Sequence, residues 1–350
     1  MDNIKEYNLF LCDSPYQILS AVNIIEMQKA RNRSLMCVIN MFTGCNNILY
    51  ELKRHGFNIF EFKLEKLNKA FKIIKYLLHC CQLRKITQNR RLKIFVSSQS
   101  GYVILFYFFL YRKKYELVFY DEGLYSYTCF FSTGNPFEEY FKNHAFFKYI
   151  FGKKHPIFNK TIYLYAPKFA REDFSANFYK IEMSYNMCSS FLKDKPDKII
   201  AQSKIIIFDQ YFLNNSIEYK KYLKLLHYIY KNSNYKICIK KHPRNEYISY
   251  ESDEIKIVAD DNNLWEAEAV EIGITDRILI TYYSSAVFMP AILNNCSYTI
   301  ILLYKLILKP DITLYKVIDD FVTRFQRYSD NVKVFVPSTV SELIQIIKDY

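Results

Sequence analysis

Two polar clusters in the second half of the sequence have residue types that suit a nucleotide carrying a phosphate. Lys240, His242 and Pro243 follow the apolar run ICI, and Ser284 and Ser285 follow the run ILI. A histidine can donate a hydrogen bond or a proton to a departing phosphate oxygen, and a neighbouring lysine raises the local positive potential. The serine pair precedes a helix-like stretch, so its hydroxyls and free backbone N–H groups would converge on an anion.

Glu266 lies between these two clusters, in the helix-like stretch LWEAEAVEIG. A carboxylate there could accept hydrogen bonds from a ribose diol, as the acidic residue of dinucleotide sites does. Each feature also has a plain structural interpretation, because serine pairs often only cap helices and helix glutamates often only face solvent. The order of the clusters on alternating strands and helices favours the functional interpretation.

An acidic cluster in the first half could supply a general base. Asp121 follows an apolar run that ends at Tyr120, and Gly123 allows the chain to turn sharply. A carboxylate at the carboxyl end of a strand is well placed to deprotonate a hydroxyl at neutral pH. The structural alternative is an ordinary turn rich in Asp and Gly.

The elements that must position these clusters are two series of strands. Helical stretches separate the strands, and the first of them begins at Ser14 and Pro15. The strand candidates are 8–12, 35–39, 57–62, 92–96 and 116–120, then 205–208, 237–239, 255–258, 278–280, 298–303 and 332–336. Residues 130–170 read as irregular and 171–203 as the passage between halves, with 193–198 as the linker. This rhythm predicts an α/β protein with parallel sheets, which bind ligands at the carboxyl ends of their strands.

Composition restricts the partners and the compartment. The net charge of +13 indicates an anionic partner, but no nucleic-acid-binding module accompanies it, so we expect no nucleic acid. The nine cysteines are odd in number and lie mostly in apolar runs without a CxxC pair, which fits reduced core thiols and no zinc site. The N-terminus does not read as a signal peptide, and the longest apolar run is too short to span a bilayer. We therefore expect a cytoplasmic protein.

One stretch raises the question of membrane contact. Residues 64–91 form a long helical pattern with apolar residues on one face and many lysines and arginines elsewhere. Such a helix can lie on anionic lipid, although it is more often a surface helix with a solvated polar face. Peripheral contact with the inner face of the cytoplasmic membrane therefore stays open, as does a homodimer.

Four clusters together resemble motifs of the bacterial sialyltransferases of the GT-B type, in both the lipooligosaccharide family and the multifunctional marine and Pasteurella-type family. The matching segments are YDEGLYSY at 120–127, KKHPR at 240–244, WEAE at 265–268 and YSSA at 283–286. The opening segment LCDSPYQILSAVNII is also similar to the first strand and helix of the lipooligosaccharide family. Each motif is short, and the set covers a few points of the chain in the order that the resemblance requires.

The resemblance implies a GT-B glycosyltransferase fold with two Rossmann-like domains facing a central cleft. An acceptor-binding domain would span 1–192 and a nucleotide-sugar-binding domain 199–350. The donor would be CMP-sialic acid, and the acceptor a galactose-terminated surface glycan, an oligosaccharide or a glycolipid of lipooligosaccharide or capsule. Transfer would invert the anomeric carbon and would need no metal and no cofactor besides the donor.

The resemblance also assigns roles to the residues. Asp121 would be the general base, and His242 would stabilise the phosphate of the departing CMP together with Ser284 and Ser285. Glu266 would hold the ribose. The remaining positions of the implied binding site are Ser14, Gly123, Lys240 and Pro243.

Neither the base nor the donor is fixed by these motifs alone. Lys241 stands where some relatives carry glycine and base placement varies among these families, so Glu122 and Asp209 are further candidates for the base. The segment TYYSSAVFMPAILNN also looks like the CDP-alditol glycerophosphate and ribitol-phosphate transferases, but those usually have Asp at the position of Tyr282. The same motifs would also fit another GT-B enzyme of surface-glycan assembly, or a non-catalytic scaffold of the same fold.

Overall fold

A computed structural model of the protein describes most of the chain as two compact units, Met1–Ser190 and Phe191–Tyr350. The described residues are 6–40, 45–63, 69–87, 90–97, 115–128, 157–170, 176–192, 196–210, 216–242, 256–258, 263–308 and 313–350. Pro243, the first three residues of the predicted linker and the first five of the basic stretch at 64–91 lie outside these ranges.

The described part of the first unit is built on a seven-stranded parallel sheet in the order β3-β2-β1-β4-β5-β6-β7. Every neighbouring pair of strands runs parallel. The strands are β1 (Glu6–Cys12), β2 (Ser34–Asn40), β3 (Ile59–Lys63), β4 (Arg91–Val96), β5 (Tyr115–Tyr120), β6 (Ile157–Leu164) and β7 (Asn177–Lys180). The chain adds strands on one side of β1, then crosses back and continues with β4 on the other side.

Helices follow the strands, as the crossovers of a parallel sheet require. They are α1 (Pro15–Met27), α2 (Cys45–Arg54), α3 (Lys69–Ile86), α4 (Leu124–Thr128) and α5 (Tyr185–Cys188). Ser14 caps α1, because its side chain accepts a hydrogen bond from the Gln17 backbone N–H, and Pro15 has the fixed φ that suits the first helical position. The predicted helix start is confirmed.

The last two strands of this sheet depart from the sequence prediction. β6 falls in the stretch that reads as irregular, and β7 falls in the predicted passage between halves. β6 carries polar Asn159 and Lys160 in its middle, which breaks the apolar run expected of a buried strand. β7 is the edge strand and is mostly exposed, so it too lacks an apolar pattern.

The described part of the second unit contains a six-stranded parallel sheet in the order β10-β9-β8-β11-β12-β13. Its strands are β8 (Ile205–Phe208), β9 (Ile237–Lys240), β10 (Lys256–Val258), β11 (Ile278–Thr281), β12 (Tyr298–Leu302) and β13 (Val332–Phe335). Every residue of the four central strands is buried, which explains why these strands are mostly apolar. All six predicted strands of this half are confirmed, with shifts of at most two residues at their ends.

The helices of the second unit are α6 (Lys198–Gln202), α7 (Ile217–Asn232), α8 (Trp265–Ile272), α9 (Met289–Asn294), α10 (Tyr304–Ile307), α11 (Thr313–Tyr328) and α12 (Val340–Lys348). The predicted linker overlaps the first of them. Asp197 caps α6 by accepting from the backbone N–H groups of Ile199 and Ile200 at 2.6 and 3.4 Å. The last two linker residues are therefore ordered parts of the second unit. Within the described ranges, no helix combines the length and apolarity that crossing a bilayer requires.

The strand order gives each sheet a point at which the direction of strand addition reverses. In the first sheet this point lies between β1 and β4, and in the second it lies between β8 and β11. Open α/β sheets bind ligands outside the carboxyl ends of the strands at such a point. The residues that follow β1, β4, β8 and β11 are therefore the first places to look for a site.

Tyr120, the last residue of β5, ties the carboxyl ends of the first sheet together. Its ring is fully buried and packs edge-on against Phe10, with ring centroids 6.2 Å apart. Its hydroxyl donates a 2.5 Å hydrogen bond to the backbone carbonyl of Leu11 on β1, two strands away. Burial raises the pKa of this hydroxyl well above its ordinary value, so it stays a donor.

We expect Tyr120→Phe to destabilise the first unit. The substitution keeps the ring but leaves a buried carbonyl without this donor, a loss that typically costs about 1–3 kcal/mol of unfolding free energy. Urea denaturation measures it. Tyr50→Phe is the matched control because Tyr50 is 66% exposed. Equal unfolding free energies for the two variants would show that the hydroxyl adds nothing to stability.

Candidate active site

Asp121 follows β5 directly, as the sequence predicts for a carboxylate at a strand end. Its side chain is fully buried and accepts three hydrogen bonds. Oδ1 accepts from the Gly123 backbone N–H at 2.8 Å, and Oδ2 accepts from the Tyr165 backbone N–H at 3.2 Å and from the Tyr127 hydroxyl. Burial raises the pKa of Asp121 from 3.8 to about 6, although these donors and the nearby Tyr16 hydroxyl oppose the rise. Asp121 therefore changes its charge close to neutral pH.

The turn after Asp121 explains the glycine. Gly123 has a φ of +102°, which L-residues rarely adopt, so a side chain here would strain the backbone. The turn continues into α4, where the Ser126 hydroxyl accepts from the Glu122 backbone N–H at 2.9 Å. Glu122 is half-buried, whereas Asp121 next to it is fully buried. The turn thus presents one carboxylate inward and a second one closer to solvent.

Polar side chains also meet at the reversal point of the first sheet. Gln17 on α1 donates from its amide to the Ser97 hydroxyl after β4, at 2.7 Å, and accepts from the Asp13 backbone N–H, also at 2.7 Å. It thereby joins the ends of β1 and β4. The Ser14 hydroxyl accepts from the Gln17 backbone N–H at 3.3 Å, so its observed role is that of a helix cap. A substrate contact by Ser14 stays a prediction.

In the second unit, Asp209 lies at the reversal point, directly after β8, and is buried. Its carboxylate accepts from the His242 backbone N–H at 3.4 Å and from its neighbour Gln210 at 2.8 Å. Its own N–H donates to the Lys240 carbonyl at 3.0 Å, which extends the pairing of β8 with β9. His242 is thus held beside Asp209, and the residue is half-buried.

Lys240 has a partner that the sequence did not indicate. Its Nζ lies 3.2 Å from Oε2 of Glu268 on α8, and the two side chains are 8% and 1% exposed. The positive charge that the sequence suggested for a nucleotide phosphate is therefore neutralised inside the protein. Chain separation hides this pair from sequence reading, because the two residues lie 28 positions apart.

Glu266 and Trp265 begin α8. Glu266 is buried, and the Trp265 indole N–H donates to the Ala286 carbonyl at 2.8 Å. The Trp265 ring also packs edge-on against Phe208 at the end of β8, with ring centroids 4.7 Å apart. These contacts fix the start of α8 next to the reversal point and next to the turn that contains Ser284 and Ser285, called the serine turn below.

The serine turn differs from the predicted helix start. Ser284 caps a short 3-10 turn at Ser285–Val287, and α9 begins two residues later. The Ser284 hydroxyl accepts from the Ala286 N–H at 3.3 Å, and its backbone N–H donates to the Thr281 hydroxyl at 3.2 Å. Both serines are half-buried. Their hydroxyls and local N–H groups can contact an anion, and the helix that follows them, α9, has only 6 residues.

The second sheet brings three of these features to one edge. His242 follows β9, Asp209 follows β8 and the serine turn follows β11, and these strands are neighbours in the sheet. Neighbouring strands lie about 4.8 Å apart, so the ends of β9 and β11 flank Asp209 across about 10 Å. That span suits a phosphate group and the sugar attached to it. In the described ranges, His, Cys, Asp and Glu side chains form no cluster of three or more that would hold a metal ion.

The raised pKa of Asp121 predicts how the unfolding free energy depends on pH. Between pH 4 and 6 the folded protein binds more protons at Asp121 than the unfolded chain does, so this residue lowers the unfolding free energy as pH rises. The rise from 3.8 to about 6 corresponds to about 3 kcal/mol. We expect Asp121→Asn to remove this pH-dependent loss, measured as unfolding free energy at pH 4 and pH 7. The exposed Asp330→Asn is the control, and an identical pH dependence in wild type and Asp121→Asn would contradict the burial effect.

Comparison with solved structures supports the architecture. Arabidopsis thaliana UGT89C1 in complex with UDP superposes with a TM-score of 0.55 at 6% identity, covering 98% of this chain and 90% of that one. The glycosyltransferase SnogD from Streptomyces nogalater gives 0.52 at 8% identity, covering 97% and 99%. The UDP-GlcNAc 2-epimerase of Methanocaldococcus jannaschii gives 0.50 at 12% identity, covering 98% and 92%. These likenesses confirm the α/β fold of the GT-B glycosyltransferase type, with two Rossmann-like units.

Comparison of the sequence gives a more specific result. No curated protein matches the chain. A family model described as alpha-2,8-polysialyltransferase (POLYST) matches residues 8–303, a range that contains Asp121, Asp209, His242, Glu266 and both serines of the candidate site. Since this match spans most of the chain, the protein belongs to the alpha-2,8-polysialyltransferase family.

Proposed function

We propose that this protein is a sialyltransferase that moves sialic acid from CMP-sialic acid to a glycan acceptor and inverts the anomeric carbon. Family membership supports the transferred sugar. The observation that carries the proposal for the donor is the edge of the second sheet, where His242, Asp209 and the serine turn follow three neighbouring strands. The GT-B fold supports a nucleotide sugar as the donor.

Departure of CMP is the step that the second unit would assist. The bond between the anomeric carbon and the phosphate oxygen breaks through an oxocarbenium-like state, and the electron pair leaves with CMP. His242 would donate a hydrogen bond or a proton to that oxygen, and the hydroxyls of Ser284 and Ser285 would contact the phosphate. Glu266 would accept from the ribose hydroxyls. No step in this scheme requires a metal ion.

Attack by the acceptor is the step that the first unit would assist. Asp121 would take the proton from the acceptor hydroxyl as the new carbon–oxygen bond forms. A pKa of about 6 leaves the carboxylate mostly ionised at pH 7 and close to the value that general-base catalysis favours. Because Asp121 is fully buried, this role requires acceptor binding to replace one of its present donors, and the Tyr127 hydroxyl is a side-chain donor that could be replaced. Half-buried Glu122 and buried Asp209 are the competing candidates for the base.

Two kinds of acceptor glycan are compatible with the proposed function. The sequence resemblance implies a galactose-terminated surface glycan, whereas the description of the family names an α-2,8 product, which requires a terminal sialic acid. Both acceptors fit transfer from CMP-sialic acid, so assays should offer oligosaccharides of each kind. We also propose that the natural acceptor is a lipooligosaccharide or capsule glycan and that the transfer takes place at the inner face of the cytoplasmic membrane.

We expect Asp121→Asn to lower kcat by about 10²–10⁴-fold, as removal of a general base typically does, while the protein still binds CMP. Glu122→Gln should retain most of the activity. Transfer from CMP-sialic acid, followed by product chromatography, measures both. The opposite ranking of the two variants would make Glu122 the base and leave Asp121 a structural residue of the turn.

A second comparison tests His242. His242→Ala should lower kcat by a similar factor of about 10²–10⁴, because the departing phosphate loses its donor. His227→Ala is the control, since His227 is exposed on α7. The same assay run with CDP-glycerol separates the sialyltransferase from a CDP-alditol transferase. Full turnover by His242→Ala would refute the role of His242. If calorimetry shows that the wild-type protein does not bind CMP, the alternative of a non-catalytic scaffold would be favoured.

A further inference from the structure

Glu268 is a buried carboxylate that the proposed mechanism does not use. It lies on α8, two positions after Glu266, and only 1% of its side chain is exposed. Burying a carboxylate is costly unless it is paired and hydrogen-bonded. Its partners therefore indicate why the chain keeps it there.

The two carboxylate oxygens of Glu268 bind two different segments. Oε2 lies 3.2 Å from Lys240 Nζ at the end of β9, and Oε1 accepts from the Asp197 backbone N–H at 2.9 Å. Asp197 caps α6, so Glu268 joins the starts of two helices to the end of a strand. Glu266 lies about 200° away around the helix, which directs it to a different side of α8.

The pair with Lys240 acts on the segment that carries His242. The Lys240 carbonyl accepts from the Asp209 N–H at 3.0 Å, and the His242 N–H donates to the Asp209 carboxylate at 3.4 Å. Residues 240–242 are thus held to Asp209 by their backbone and to Glu268 by the Lys240 side chain. Without the ion pair, the backbone contacts would remain, but the lysine stem would lose its fixed position.

We infer that Glu268 is a positioning residue, and that its ion pair with Lys240 sets the position from which His242 reaches the leaving phosphate. This inference rests on the proposed function. It assigns Lys240 to support of the histidine segment and not to contact with the nucleotide. A displacement of about 1 Å in a catalytic group can cost about 10²-fold in rate, so an ion pair that fixes the position of this segment matters for turnover.

Neutral substitutions of both partners test the inference. Glu268→Gln keeps the size and can still accept from Asp197, and Lys240→Met keeps the stem without the charge. We expect each single variant and the double variant Lys240→Met/Glu268→Gln to lose about tenfold or more in kcat, with CMP affinity unchanged by calorimetry. The double variant should lose no more than the worse single one, because both changes remove one shared interaction. Reduced CMP affinity in Lys240→Met and the double variant would make Lys240 a nucleotide ligand and overturn the inference.

A readout without substrate separates this inference from the proposed function. In protein with isotope-labelled histidine, the NMR signal of the His242 ring can be identified because it is lost in His242→Gln. We expect the chemical shift of this signal to change in Glu268→Gln and in Lys240→Met. Lys204→Met is the matched control, because Lys204 pairs with the exposed Asp276 at 2.7 Å. If the wild-type protein neither binds CMP nor transfers sialic acid, the proposed function is refuted. The His242 ring signal would still test whether the Lys240–Glu268 ion pair positions His242. An unshifted signal in Glu268→Gln would overturn the inference.

If one of the single variants fails to fold, the double variant decides alone. It leaves no unpaired charge in the interior, and replacement of a buried ion pair by neutral residues is often tolerated. A shifted His242 signal with lower kcat and normal CMP affinity supports the positioning role of the Lys240–Glu268 ion pair. A wild-type signal with wild-type kcat refutes it.

Discussion

The reversal of strand order in each parallel sheet is the constraint on which the candidate site depends. In the second sheet the first strand, β8, lies between β9 and β11, so its end is flanked by two segments that come from later in the chain. In open α/β sheets, the crossovers on the two sides of such a point run in opposite directions, and the crevice between them is where ligands bind. Asp209, His242 and the serine turn become neighbours for this reason, although more than 70 residues separate Asp209 from Ser284 along the chain. No local motif has to bring them together.

This constraint explains which parts of the molecule could be predicted from the sequence. The buried central strands could be predicted because most of their side chains are apolar, as all four are in Ile205–Phe208. The edge strand β7 could not, because it is mostly exposed and carries no period-two pattern. The Asp-Glu-Gly turn could be predicted because only glycine readily tolerates the φ of +102° at Gly123. The partners of the site residues were hidden, since the Lys240–Glu268 pair and the contact of Asp209 with His242 depend on tertiary structure.

Two buried carboxylates of this protein contrast in a way that fits their proposed roles. Glu268 faces a lysine ammonium, so its charge is compensated and it can serve as a fixed anchor. Asp121 accepts from two backbone N–H groups and from a tyrosine hydroxyl, all of them neutral. Neutral donors offset only part of the desolvation cost, which is why its pKa rises to about 6. A carboxylate of that kind costs stability in the folded protein, and such groups cluster at functional sites.

Neutralisation of Lys240 changes how a leaving phosphate would be stabilised. If an ammonium clamped the phosphate, the charge of Lys240 would have to be available, but the pair with Glu268 has no net charge. In the proposed mechanism, stabilisation would then come from donors at the sheet edge, the imidazole of His242 and the hydroxyls of the serine turn, which act over hydrogen-bond distances. Such donors work only when they are held in place, and longer-range attraction can still come from the net charge of +13. In that mechanism, the positions of His242 and the serines would therefore matter more than the number of lysines around them.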